Sequence, residues 1–122
     1  MTKSVNEVIL EQAKALCAIL EENAADDITL LHVGDRTVIA DYFIICSGKT
    51  PSHVKSLCDH LEEHLAELKL TILRNDGYEQ GRWIVCDLGS ILVHIFHPEE
   101  RVYYNMERLW RDESLSSGEM KD

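Results

Sequence analysis

Apolar positions recur at helical spacing at the start of the chain and at strand spacing through its middle. Val5, Ile9, Ala13, Leu16, Cys17 and Leu20 share one helical face. Ser4 and Glu7 form a capping-box pattern ahead of it, and Asn23 is the expected stop. Ile28–Val33 reads as a strand that ends in a Gly34-Asp35 turn. The segment Val38–Cys46 holds the best buried-strand pattern, Tyr42-Phe43-Ile44-Ile45-Cys46. Thr50 as N-cap with Pro51 at the first helical position opens a second helix, whose core face is Val54, Leu57, Cys58, Leu61, Leu65 and Leu68. A short strand is predicted over Leu70–Leu73, with a turn in Arg74-Asn75-Asp76-Gly77. Trp83–Asp87 and Ile91–Phe96 flank Leu88-Gly89-Ser90 and predict an antiparallel hairpin. At His97-Pro98 the strand pattern becomes helical and runs to Arg111, with Glu99 and Glu100 at the favourable end of the helix dipole.

The predicted order is α-β-β-α-β-β-β-α, which implies an α+β domain with an α/β-type mixed sheet and helices packed on it. Residues 1–111 form a single domain on this reading. The polar run from Asp112 to Asp122 is expected to be a disordered tail. Tyr103 and Tyr104 are adjacent, and neighbouring helical positions point about 100° apart. One core stripe therefore accommodates both poorly, and the second ring is expected to face a partner or a dimer mate.

Composition narrows the class. The 122 residues carry 45% hydrophobic and 28% charged positions, as a soluble globular chain does, and are enough to bury a core. The formal net charge of −10 disfavours free nucleic acid and anionic membrane and favours a basic partner. Cys17, Cys46, Cys58 and Cys86 lie inside apolar patterns without a C-x-x-C pair, which reads as buried thiols in a reducing, cytoplasmic setting. No signal peptide or membrane-spanning run is legible.

Three motifs could carry chemistry. Ser47-Gly48-Lys49-Thr50 sits between a strand and a helix, where a phosphate-binding loop belongs, but Phe43 occupies the position of the required first glycine. A turn with a helix cap is the simpler reading, and a degenerate nucleotide-binding module is the alternative. His60-Leu61-Glu62-Glu63-His64 matches an inverted zinc-hydrolase pattern. His53, His60 and His64, however, fall on the flank of the apolar stripe within an arc of about 40°, where polar residues bordering a core normally lie. His94 and His97 point to opposite faces of a strand and cannot chelate one metal easily; hydrogen bonding on the sheet and a strand-to-helix cap account for them. No nucleophile–base set is legible. The expectation is a protein that is not an enzyme, with no cofactor and no metal.

Four segments together resemble the ribosomal silencing factor (RsfS, or Iojap) family. They are Ala40–Gly48 (ADYFIICSG), Pro51–Val54 (PSHV), Gly81–Gly89 (GRWIVCDLG) and Val93–Trp110, the last including the tyrosine pair. The likeness extends from about Leu10 to Trp110. It implies a nucleotidyltransferase-like fold that lacks the acid-x-acid pair needed to hold metal and nucleotide. It also implies a non-catalytic factor that binds the large ribosomal subunit through ribosomal protein L-fourteen and sterically blocks joining of the small subunit. Translation is thereby repressed when nutrients are scarce. A homodimer is a further expectation.

Strand geometry then nominates contact residues. Trp83, Val85 and Asp87 share one face of their strand, and Ile84 and Cys86 the other. Trp83 either anchors a partner or covers the sheet's own apolar surface. Asp76, Tyr78 and Glu79 precede the strand and are expected to form an acidic, aromatic rim.

Overall fold

A computed structural model describes residues 3–99 of the chain. Helix α1 (Val5–Glu22), strands β1 (Asp26–His32) and β2 (Tyr42–Ser47), helix α2 (Pro51–His64) and strands β3 (Arg74–Asp76), β4 (Trp83–Asp87) and β5 (Ile91–Phe96) follow in chain order. They match the first seven predicted elements in kind and sequence. Glu100 onward, which includes nearly all of the predicted last helix, both adjacent tyrosines and the polar tail, lies outside the described residues.

Both helices start as their first residues dictate. The Ser4 hydroxyl accepts from the Glu7 N–H at 3.1 Å, and the Glu7 carboxylate accepts from the Ser4 N–H at 2.9 Å, closing the capping box. The Asn23 amide donates to the Ile19 carbonyl at 2.8 Å and ends α1. Thr50 caps α2 through the His53 N–H, with Pro51 at the first position, where no donor is missed. Among the described residues no helix is long and apolar enough to cross a membrane.

The five strands form one mixed sheet in the order β1-β2-β5-β4-β3. Only β2 and β5 run parallel, from Tyr42 beside Ile91 to Ser47 beside Phe96. The hairpin β4–β5 pairs Trp83 with Phe96 and Asp87 with Leu92, as the flanking turn predicts. A bulge interrupts β1 between Asp26 and Thr29, and Asp27 takes a left-handed conformation with φ 51°.

Because paired residues share a face, register sorts the side chains into two layers. Ile44 and Cys46 of β2, Val93 and Ile95 of β5, and Ile84 and Cys86 of β4 join Leu16, Leu20, Leu57 and Leu61 of the two helices in the larger core. On the other face a smaller cluster gathers Phe43, Ile45, Leu92 and Phe96 with Val33 and Ala40 of the β1–β2 connection.

The third strand differs from expectation. It lies at Arg74–Asp76, whereas Leu70–Leu73 is an irregular run with Leu73 exposed. Leu73 still donates its N–H to the Asp87 carbonyl at 2.7 Å, so it leads into the ladder. The polar Arg-Asn-Asp triplet can be a strand because it is an edge: Asn75 points inward to hydrogen-bond, and Arg74 and Asp76 point out. The turn starts later, at Gly77, with φ 87°. A Cβ there would lie 2.1 Å from the Trp83 carbonyl oxygen, so only glycine fits.

Candidate partner-binding face

Along β4 the burial alternates as strand geometry requires: Ile84 and Cys86 are buried, and Trp83, Val85 and Asp87 are partly exposed on the face away from the helices. Asp76 sits beside Val85 and Arg74 beside Asp87, so both belong to the same surface. The structure thus brings Trp83, Val85, Asp87 and Asp76 together at one edge of the sheet.

Trp83, Asp87 and Asp76 have polar or ring partners that set their orientation, and Val85 packs against the smaller cluster. The Trp83 ring stacks on Phe96 with centroids 4.9 Å apart, and its Nε1–H donates to His94 Nδ1 at 3.2 Å. Asp87 accepts the Gly89 N–H at 2.9 Å and so closes the β4–β5 turn while its other oxygen remains available for hydrogen bonding from outside. Asp76 pairs with the Arg74 guanidinium at 2.8 Å in an exposed ion pair. A pair of this kind is worth at most about 1 kcal/mol and rearranges readily.

Tyr78 and Glu79 stand apart from this group. The Tyr78 ring packs on the helix-side core, and its hydroxyl donates to the Asp59 carboxylate of α2 at 3.0 Å. That hydrogen bond, followed by burial, raises the phenol pKa above its ordinary value. Lys55 lies over the same ring. Glu79 is exposed in the turn that returns to β4. Trp83 and Tyr78 are therefore held on opposite sides of the sheet edge.

Sequence reasoning did not single out His94 as the support of the Trp83 ring. Its side chain is buried to 5% exposure, flanked by Phe43, Phe96 and Trp83. Acceptance from Trp83 at Nδ1 places its own proton on Nε2, and Nε2 is buried with no hydrogen-bond partner. Burial lowers its pKa to about 4, so the ring is neutral throughout the physiological range. The signal was its place opposite Val85 across the hairpin, but the unbroken apolar run Ile91–Phe96 conceals which face each residue takes.

The remaining motifs are built for structure. Gly48 gives its N–H to the Phe96 carbonyl at 2.9 Å, and Lys49 gives its own to His53 Nδ1 at 2.8 Å. Those are the donors a phosphate would need. The Lys49 ammonium lies against Asp26 and the Ala24 carbonyl. His53 completes the buckle by donating Nε2–H to the Asn23 carbonyl at 3.0 Å. His64 Nδ1 turns to the His60 carbonyl at 2.9 Å, while His60 Nδ1 lies 3.7 Å from Glu63. No group of three metal-ligating side chains occurs among the described residues. His97 Nδ1 accepts the Glu99 N–H, the expected strand-to-helix cap. Cys17 and Glu21 line a pocket between α1 and β1, but burial and then the Glu21 charge push the thiol pKa up, away from a nucleophilic thiolate.

Comparison with known proteins identifies the family. The family model described as ribosomal silencing factor during starvation matches residues 6–122. The ribosomal silencing factor RsfS of Halalkalibacterium halodurans is 39% identical over 93 residues, 76% of this chain and 80% of that protein. The Bacillus subtilis protein of the same name is 35% identical over 108 residues, 88% of this chain and 89% of its own length. A crystal structure of a Chromobacterium violaceum protein superposes with a TM-score of 0.80 at 31% identity, covering 84% of this chain and 85% of that one. With four sequence segments in order, a mixed sheet between them and a match over nearly its full length, the chain belongs to the ribosomal silencing factor family.

Proposed function

We propose that this protein silences translation by binding the large ribosomal subunit, with the outer edge of its sheet as the contact surface. The observation that carries the reading is the cluster of Trp83, Val85, Asp87 and Asp76 on the face away from the helices. An aromatic anchor beside an apolar patch, rimmed by acids, is the usual anatomy of a protein interface. The net charge of −10 steers such a surface to a basic protein and away from bare RNA. Ribosomal protein L-fourteen is the partner in this reading, and occupation of its surface blocks small-subunit joining when nutrients are scarce. Asp76 and Arg74 form the rim, while Tyr78 braces the approach to β4 from the helix side through Asp59 and Glu79 stays outside the contact.

The protein acts in the cytoplasm on this proposal, as a homodimer when not bound, and without catalysis. The fold is related to nucleotidyltransferases, and the Ser47–Thr50 turn remains from that ancestry as a helix cap. A nucleotide-binding role for that turn is the second reading, but its backbone donors are already committed to Phe96 and His53. Co-sedimentation with isolated large subunits tests the first reading, using Trp83→Ala and Asp87→Arg after circular dichroism has confirmed both folds. Loss of binding in both is expected, and undiminished binding by both would refute the assigned surface. Calorimetry with magnesium nucleotides tests the second; a binding isotherm abolished by Lys49→Ala would favour it.

A further inference from the structure

The two most intimate polar neighbours in the larger core are thiols. Cys58 of α2 and Cys86 of β4 place their Sγ atoms 3.4 Å apart, and both side chains are buried. They are not isolated from polar groups. The Asn75 amide donates to Cys58 Sγ at 3.3 Å and to the Glu62 carboxylate at 3.1 Å, so one side chain of β3 and an exposed glutamate form a thin cover over the pair. Neither thiol is used by the partner-binding face, which lies across the sheet.

We propose that Cys58 and Cys86 are a peroxide-responsive pair that closes into a disulfide and staples α2 to the strand bearing Trp83. Closing the gap to a bond of about 2.05 Å needs an approach of about 1.4 Å, within reach of side-chain rotation with small shifts of helix and strand. The geometry also distinguishes the two roles. The Asn75 amide donates to Cys58 and favours its thiolate, and the contact between the two sulfurs lowers the pKa of Cys58 and, together with burial, raises that of Cys86. Cys58 is therefore the attacking thiolate and Cys86 the resolving thiol.

The chemistry balances with hydrogen peroxide as oxidant. The Cys58 thiolate, its proton already released to solvent, attacks one peroxide oxygen, the O–O bond breaks, and the departing hydroxide takes up a solvent proton and leaves as water. The Cys58 sulfenic acid is then attacked at sulfur by Cys86. Its S–O bond breaks, and hydroxide leaves with the Cys86 proton as a second water. Two thiols lose two electrons, and the peroxide gains them. This step does not depend on the ribosome reading.

The test treats the native full-length chain with hydrogen peroxide at neutral pH, alkylates the remaining thiols, and measures intact mass and a non-reduced peptide map. With alkylation carried out in denaturant, the expected result is a chain that carries two alkyl groups and is two hydrogen atoms short of the same chain without a disulfide, with the peptides of Cys58 and Cys86 joined. Cys58→Ser and Cys86→Ser should each prevent closure, and Cys46→Ser and Cys17→Ser should permit it. The urea midpoint of the oxidised protein should rise and return on reduction. Alkylation of all four thiols after a small free thiol in the same tube has been consumed would overturn the proposal. So would a map joining any other pair, or sulfinic acid at Cys58 with Cys86 still free.

Discussion

One sheet carries two faces made from the same strands, and they are packed in different ways. The face under α1 and α2 is filled by aliphatic side chains and thiols, with Ile44, Val93, Ile95, Ile84 and Cys86 fully or almost fully buried. The opposite face stacks rings: Phe43, His94, Phe96 and Trp83 lie edge to face or in parallel across three strands. Packing on the helix side stabilises chiefly through filled volume. The ring stack includes a buried histidine and ends in a half-exposed indole, so its edge can meet another protein without exposing an aliphatic core. One face is therefore a closed aliphatic core, and the other is a ring stack that ends at a partly exposed indole.

That contrast can be broken by substitution. Ile44→Ala on the helix side should cost about 4 kcal/mol through lost burial and a residual cavity, read as a lower urea midpoint, while folded protein keeps its ribosome affinity. A cost below about 1 kcal/mol would show the helix side to be loosely packed.

The ring side should answer to pH instead. His94 has a folded pKa of about 4 against about 6.5 when unfolded, so between those values only the unfolded chain takes up the proton. Stability contributed by the neutral ring is complete above pH 6.5, declines as pH falls, and levels off below about pH 4. The loss amounts to about 3 kcal/mol across the window. Denaturation at several pH values should show this slope in the wild type and its removal in His94→Phe; an equal slope in both proteins would assign it to other groups.

Trp83→Ala should weaken large-subunit binding by about 2 kcal/mol or more, roughly thirtyfold. Ile44→Ala should not, and similar binding losses in the two would erase the distinction between the faces. The smallest effect is expected at the rim. Asp76→Asn leaves Arg74 without its pair and should change affinity by less than about 1 kcal/mol, chiefly through a slower, less salt-sensitive association rate.

Most of the architecture was legible because periodicity and capping agree along the chain. Ser4 with Glu7 and Thr50 with Pro51 mark the helix starts directly, and Leu88-Gly89-Ser90 marks the hairpin. The β3 assignment failed because Arg74-Asn75-Asp76 has turn composition, and its strand conformation depends on tertiary hydrogen bonds from Asn75 to α2. The alternation of Trp83, Val85 and Asp87 was readable from spacing alone. Tyr78 was not placed by proximity in sequence, since the turn at Gly77 carries its ring toward Asp59 on the helix side. His94 as the ring beneath the indole required register between strands, which no local pattern encodes.

The parallel pairing of β2 with β5 has a consequence for the birth of the molecule. The two strands are neighbours in space but far apart in the chain, and among the described residues β5 is the last strand to be made. Until Phe96 has been synthesised, β2 has β1 on one side and an open edge on the other. A nascent chain can therefore form α1 and the β1–β2 pair early, but the centre of its sheet closes only once β5 has been made. Trp83 also acquires its support at that moment, because both Phe96 and His94 arrive with β5. A product ending before β5 would lack the support of the Trp83 ring as well as the sheet's centre.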